Sequence, residues 1–317
     1  TMLAVTGVLL MISMLAFFTK WVAVKMLPFD NKNEIQVVID MPEGTTLEKT
    51  SVVAKEVSQY LRTVPEIVNY QNYVGASSPI TFNGLVRHYD MRGASNTADI
   101  QVNLLNKSER SKQSHDVAKT IRPEIQKIAR KFGANIKIVE VPPGPPVLST
   151  IVAEVYGPDY DEQIRIADEV QKILINTEDV VDVDWMVEAP QGEFKIIPDK
   201  EKSMLNGIAP QQLVGNLNYL LGEYPVSTLY DEKSSQPVNM VMKLDNSEKS
   251  TIQDITALKV KGAAGNMMPV SDVVKIERGT LEKSIYRKDQ KRVVYVLADM
   301  AGALESPAYA ILGMEEK

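Results

Sequence analysis

Hydrophobic and polar positions divide the chain into stretches of different period. Residues 2–18, MLAVTGVLLMISMLAFF, carry no charge, and Lys20, Trp21, Lys25 and Pro28 follow. A membrane-crossing helix needs about 20 apolar residues with Trp and Lys at its boundary. A secretory signal would begin with basic residues and close on small ones, and here the basic residues come after the run. The pattern therefore predicts a membrane helix within residues 1–29. Beyond Pro28 the period becomes that of a folded, water-exposed domain. EIQVVIDMP (34–42) alternates as a strand, Gly44, Thr45 and Thr46 make a turn and cap, and Val53, Val57 and Leu61 recur at helical spacing within 46–64. Strands are predicted at 66–74, 98–105 and 134–141, and a helix at 114–132 with a kink at Pro123. Residues 75–97, rich in Gly, Ser, Pro and Asn, read as a long loop. The order β-α-β, loop, β-α-β predicts a ferredoxin-like sheet with both helices on one face.

EVPPGPPV (140–147) interrupts this pattern, and after it the pattern restarts. A strand is predicted at 149–157, a helix at 159–177 and a strand at 178–187. Residues 54–74 align without gaps on residues 167–187, with identities at Ala54/Ala167, Glu56/Glu169, Val57/Val170, Leu61/Leu174 and Val74/Val187. This points to a structural duplication. Residues 191–280 have a different character and read as an inserted α+β module of short strands, hairpins and a helix at 209–221. Strand pattern returns at 283–300, and 305–317 would begin a second helix with Pro307 near its first turn. The apolar start and the break inside an amphipathic element at the other end read as a piece of a longer chain.

Composition narrows the chemistry. With 24% charged residues and a net charge of −6, no basic footprint points to nucleic acid. The absence of cysteine excludes disulfides, thiolate metal sites and a cysteine nucleophile. There is no phosphate-binding glycine loop, nucleophile elbow or zinc-binding helix motif. His115 reads as a solvated residue at a helix start, and His88 as a loop histidine. Carboxylates such as Glu140, Glu154, Asp182, Asp184 and Asp199 read as strand-edge or helix-surface groups. The 14 methionines, including Met240, Met242, Met267 and Met268, read as packing residues. No catalytic residue, cofactor or metal-ligand set is predicted. The long loop is more informative. Its segment 75–93 mixes Ile80, Phe82, Leu85, Val86, Tyr89 and Met91 with glycines, a composition suited to lining an apolar pocket.

Several stretches together resemble the second periplasmic loop of resistance-nodulation-division (RND) efflux permeases, nearest to the hydrophobe/amphiphile branch. They are PFDNKNEIQVVIDMPEGTTLEKT after the apolar run, FKIIPDKEKSMLNGIAPQQLVGNLNYLLGEYPVSTLY at the insertion, and GNMMPVSDVVKIERGTLEKSIYRKDQKRVVYVLADM on the return. The resemblance covers essentially the whole chain. It implies an α+β architecture of one membrane helix (1–29), a first porter subdomain (30–141), a discontinuous second porter subdomain (142–190 and 281–317) and an inserted docking subdomain (191–280). It implies a bacterial inner-membrane, proton-driven homotrimer rather than an enzyme, largely periplasmic over this segment. The partners would be a membrane-fusion adaptor, an outer-membrane channel and small hydrophobic or amphiphilic substrates. By position, the family's switch loop would comprise Ser78, Pro79, Ile80, Phe82, Asn83, Gly84, Leu85, Val86, Tyr89 and Met91. Pro142, Pro143, Gly144, Pro145 and Pro146 would form a stiff hinge at the base of the substrate cleft. The family's proton-carrying residues lie in membrane helices outside this sequence. Heavy-metal relatives carry a methionine cluster in the cleft. Here Val147 stands where one such sulfur is sought, and Met41 and Met91 alone could remain. Organic substrates are therefore favoured. The alternatives are a heavy-metal porter and a membrane-anchored binding module without transport.

Overall fold

The computed structural model describes residues 2–19, 29–79, 82–140, 147–302 and 305–314. Two compact units result, Thr1–Ala189 with Lys283–Lys317, and Pro190–Glu282. The N-terminal helix α1 (Met2–Phe18) exposes its apolar side chains from Met2 to Leu15. Its 17 residues rise only about 26 Å, short of a hydrocarbon core of about 30 Å. Among the described residues no helix is long and apolar enough to cross a membrane. The predicted boundary residues Lys20, Trp21, Lys25 and Pro28 lie outside the described residues.

The first sheet is built by β1 (Glu34–Asp40), α2 (Leu47–Leu61), β2 (Ile67–Val74), α3 (Phe82–Arg87), β3 (Thr97–Leu104), α4 (Ser114–Phe132) and β4 (Asn135–Val139). The strand order is β2-β3-β1-β4, antiparallel throughout, with Val37 opposite Ile100 and Ile39 opposite Ile136. Thr46 caps α2 by accepting from the Lys49 N–H. α4 ends at Gly133, whose φ of 65° suits a residue without Cβ. Val53, Ala54, Val57 and Leu61 of α2 join Val117, Ile121 and Ile125 of α4 in one core with Ile35, Val37 and Ile39. Because strand side chains alternate, Gln36, Val38, Asp40, Asp99 and Lys137 belong to the opposite face. That face is also covered: Gln36 is 3% and Lys137 6% exposed. The stretch 75–97 is not wholly loop, for it contains α3 and a 3-10 turn at Tyr89–Met91.

The chain continues with β5 (Ile151–Tyr156), α5 (Tyr160–Ile175) and β6 (Val180–Trp185). Ala167 and Leu174 of α5 are fully buried, as are their sequence counterparts Ala54 and Leu61 in α2. The repeat therefore preserves the buried stripe of the helix.

The second unit comprises β7 (Gly192–Pro198), α6 (Lys200–Leu205), α7 (Pro210–Leu221), β8 (Tyr224–Leu229), β9 (Val238–Met242), α8 (Ile252–Ala257), β10 (Lys259–Lys261), β11 (Met267–Pro269) and β12 (Val274–Thr280). Its strands form the antiparallel pairs β7–β12, β8–β9 and β10–β11; the core includes Leu213, Leu217, Val260 and Val270, and the β8–β9 hairpin is largely exposed. Met268 packs there, but Met240, Met242 and Met267 are exposed, contrary to the packing role read from sequence.

On its return the chain makes β13 (Arg287–Lys288), β14 (Lys291–Met300) and α9 (Pro307–Met314). Asp289 and Gln290 join β13 to β14 with φ of 49° and 65°, a positive-φ pair suited to a two-residue hairpin. β14 is the central strand of the second sheet, between β5 and β6, with Val296 opposite both Ala153 and Trp185. The sheet is thus completed by a strand more than a hundred residues beyond β6.

Candidate functional site

Two arginines in the stretch between β2 and β3 anchor it to both sheets. Arg92 donates to Asp99 of β3 at 2.8 Å, to Asp40 of β1 at 2.5 Å and to the Ile39 carbonyl at 2.8 Å. Arg87 donates to Asp299 of β14 at 2.9 and 3.4 Å. The two aspartates are held alike. Asp99 accepts the Ser78 N–H at 3.0 Å, and Asp299 accepts the Thr150 N–H at 2.9 Å. Asp299 also accepts from the Ser149 and Thr150 hydroxyls at 2.8 Å. Burial alone would push the Asp299 carboxyl up, but Arg87 and these donors hold it well below the ordinary carboxylate range. Burial likewise works against the Arg87 charge, and Asp299 outweighs it. At Asp99 the balance falls the other way, and burial raises the carboxyl despite Arg92.

More charges cross between the sheets. Lys137 of β4 contacts Asp40 at 2.8 Å and is also paired with Asp184 of β6. Burial opposes its charge, and Asp184 and Asp40 together keep the ammonium raised above its usual value. Arg122 of α4 pairs with Asp182, which also accepts the Ile138 N–H at 3.1 Å. Asp182 has φ of 52°, and the β6–β14 register shifts between Leu297 and Asp299. A residue in this conformation beside a bulge is re-aimed out of the regular alternation. Burial raises the Asp182 carboxyl, with Arg122 opposing.

The residues predicted for the switch loop are dispersed in environment. Ser78 is buried, and its hydroxyl accepts from Gln36 Nε2 at 3.0 Å. Pro79 is exposed, Gly84 buried, Leu85 55% exposed, Val86 and Tyr89 half-buried, and Met91 78% exposed. The Arg92 guanidinium lies 5.5 Å from the Tyr89 ring centroid. Phe82 and Asn83 belong to α3. Ile80 and the proline stretch Pro142, Pro143, Gly144, Pro145 and Pro146 lie outside the described residues. Met41 is enclosed in the first core while Met91 is exposed, so these two thioethers do not form an enclosed ligand pair. Among the described residues no group of three or more His, Cys, Asp or Glu could hold a metal ion.

A family model described as the AcrB/AcrD/AcrF family matches residues 1–312. The chain belongs to this family of RND efflux permeases. Among curated family relatives it is similar to the swarming motility protein SwrC of Bacillus subtilis (strain 168), 22% identical over 152 residues, 48% of this chain and 14% of that one. Among solved structures it is similar in fold to a heavy metal efflux pump in two crystal forms. For form II the TM-score is 0.71 at 17% identity, covering 99% of this chain and 31% of the pump; for form I it is 0.72 at 18%, covering 98% and 32%. The chain thus spans about a third of the pump it resembles.

Sequence reasoning passed over most of the charged groups that join the sheets. Asp182, Asp184 and Glu140 were expected at surfaces, yet the Asp182 side chain is 2% and that of Glu140 5% exposed. His115 was expected in solvent, yet it lies between two carboxylates. A usable signal was present: Asp99, Lys137 and Asp299 each interrupt an apolar strand. Charges are almost never buried unless paired, so such a position calls for a partner.

Proposed function

We propose that this chain is the periplasmic porter and docking segment of a proton-driven efflux transporter of the bacterial inner membrane, exporting hydrophobic or amphiphilic organic compounds. Residues 30–141 form the first porter subdomain, 142–190 with 281–317 the second, each of ferredoxin-like type, and 191–280 the docking subdomain. Residues 1–29 supply the membrane-anchoring segment that precedes them, of which α1, too short to cross a bilayer by itself, is the described part. The full protein works as a homotrimer with a periplasmic adaptor and an outer-membrane channel. Substrate passes between the porter subdomains, and residues 78–91 act as the loop that divides its path. The proline stretch 142–146 is the stiff hinge between the two walls.

One observation carries this reading. The stretch between β2 and β3 is tied by Arg92 to the first sheet and by Arg87 to the second. A segment bound to both walls must respond when they move apart, as a transport loop requires. Its exposed Leu85 and half-buried Val86 and Tyr89 give it an apolar surface, and Arg87 and Arg92 are engaged with aspartates.

The test is expression of the full-length gene in an efflux-deficient bacterium. Raised tolerance to detergents, dyes and lipophilic drugs, but not to Cu(I) or Ag(I), is expected. Tolerance to the metals alone would establish the heavy-metal reading. No change in either, with the protein correctly inserted, would favour a binding module without transport.

A further inference from the structure

β4 is the outermost strand of the first sheet and β6 that of the second, and the two lie edge to edge. Asn135 meets Val183 and Asp184, and Ile138 meets Asp182, so the two strands run antiparallel. Strand edges so placed can pair through their backbones and fuse two sheets into one. Here they do not. Among the described residues, every hydrogen bond between β4 and β6 uses a side chain. Asp182 accepts the Ile138 N–H at 3.1 Å. Asn135 Nδ2 donates to the Val183 carbonyl at 3.4 Å and to Asp184 Oδ1 at 3.2 Å. Asp184 also pairs with Lys137.

The two aspartates approach β4 from different sides. Val183 and Trp185 pack against the second core, so Asp184 between them lies on the opposite face. There it meets Lys137, which is also on the face of its sheet away from the helices. Regular alternation would set Asp182 beside Asp184. Instead Asp182 pairs with Arg122 of α4, a helix packed on the core face of the first sheet. Its φ of 52° breaks the alternation, and Val180, three residues before Val183 rather than two, packs inward as well. Aspartate enters this left-handed region more readily than most residues. The kink thus sends two carboxylates of one strand around opposite faces of β4. The charges are also sorted by sheet. Asp182, Asp184 and Asp299 belong to the second, and their cations Arg122, Lys137 and Arg87 come from the elements of the first.

We infer that Asp182 and Asp184 form a two-sided clip on β4, a releasable joint at which the two sheets part while the strand pairing within each stays whole. A grip on one face alone would leave β6 free to tilt about the contact. Grips on both faces fix its angle while the joint is closed. Opening takes the two carboxylates, Arg122 and Lys137 into water, where all four are readily hydrated. On the backbone, only the Ile138 N–H and the Val183 carbonyl change partner. A backbone ladder along the same edges would release a whole row of N–H and C=O groups at once, each needing a new partner. The kink at Asp182 turns the β6 edge away from such a ladder, which keeps the joint releasable. The clip does not depend on what the protein exports. In a porter it supplies the line along which the two walls separate.

The separation of the two sheets is measured by pulsed electron resonance on the purified full-length protein in lipid nanodiscs. Spin labels are placed at K55C on α2 and E169C on α5, both exposed, in a protein free of other cysteines. A second pair, K55C with E124C on α4, reports whether the first sheet and its helices are intact. In the parent, a short and a long distance between the sheets are expected. D182G removes one side of the clip and places the residue best suited to φ of 52°, and D184A removes the other side. Each should lower the short-distance population about threefold, and the double variant about tenfold, with the K55C–E124C distance unchanged. A single narrow distance in the parent overturns the inference, as does a short-distance population that the variants leave unchanged. A single variant that matches the double shows a one-sided grip and overturns the two-sided clip. A variant whose K55C–E124C distance changes has lost its fold, and the parent and the other variant then decide. None of these readings uses transport, so a failure of the efflux reading shows separately in the tolerance assay.

Discussion

Arg87 and Asp299 stand 212 residues apart in sequence, yet their side chains meet at 2.9 Å and are each under 10% exposed. The pair joins the stretch between β2 and β3 to the central strand of the second sheet. Removing one partner of a buried ion pair typically costs about 3–5 kcal/mol, because the other charge is left uncompensated. D299A is expected to cost more than R87A. Asp299 retains the Ser149 and Thr150 donors when Arg87 is lost, whereas loss of Asp299 leaves the buried Arg87 charge with the Tyr89 hydroxyl among the described residues but no carboxylate. Urea unfolding of the two variants at neutral pH checks the order, and equal losses would refute it.

The same aspartate sets an acid limit. Its folded-state pKa lies well below the unfolded value of about 3.9. Its contribution is therefore present above about pH 4 and is lost as pH falls below that, toward the folded value. The stability of the parent should decline through this acid range, and D299N should show a flatter profile. Parallel profiles for the two proteins would show that Asp299 does not govern the decline.

Lys137 neutralises Asp40 and Asp184 from a largely buried position. K137M keeps much of the side-chain volume but leaves two carboxylates facing each other across the sheets. A loss of about 3–5 kcal/mol is expected near neutral pH. Against burial, Lys137 and Arg92 hold the Asp40 carboxyl below its ordinary range, so the gap from the parent should be fully present above about pH 3.9 and shrink as pH falls below it. Denaturation midpoints measured across that range test this, and a pH-independent gap would assign the loss to packing instead.

Leu61 and Leu174 occupy matching places in the sequence repeat and are both fully buried, but in separate cores. L61A and L174A should each cost about 2–5 kcal/mol. With no shared cavity, the losses should add in the double variant to within about 0.5 kcal/mol. A clear departure from additivity would reveal coupling between the two cores.

Local order was legible in the sequence. The alternation of 34–42 and the spacing of Val53, Val57 and Leu61 specified β1 and α2, since each depends only on near neighbours and on the periods of strand and helix. The repeat pairs Ala54 with Ala167 and Leu61 with Leu174, and in the fold all four are buried. Shorter features escaped. α3 was read as loop because Gly84 and its polar neighbours outweigh a six-residue helix, and Met240 and Met242 were assigned to packing although their hairpin is exposed. The partners of the charged side chains were beyond reach. An Asp within VLADM announces that a buried charge needs compensation, but composition and periodicity cannot say that Arg87 supplies it. His115 reads as a solvated helix start until Glu140 and Glu305 arrive from other elements. Periodicity is a property of contiguous chain and is written locally. Ion pairing and hydrogen bonding are properties of distance, and only the tertiary fold brings residues 87 and 299, or 115 and 305, within hydrogen-bonding range.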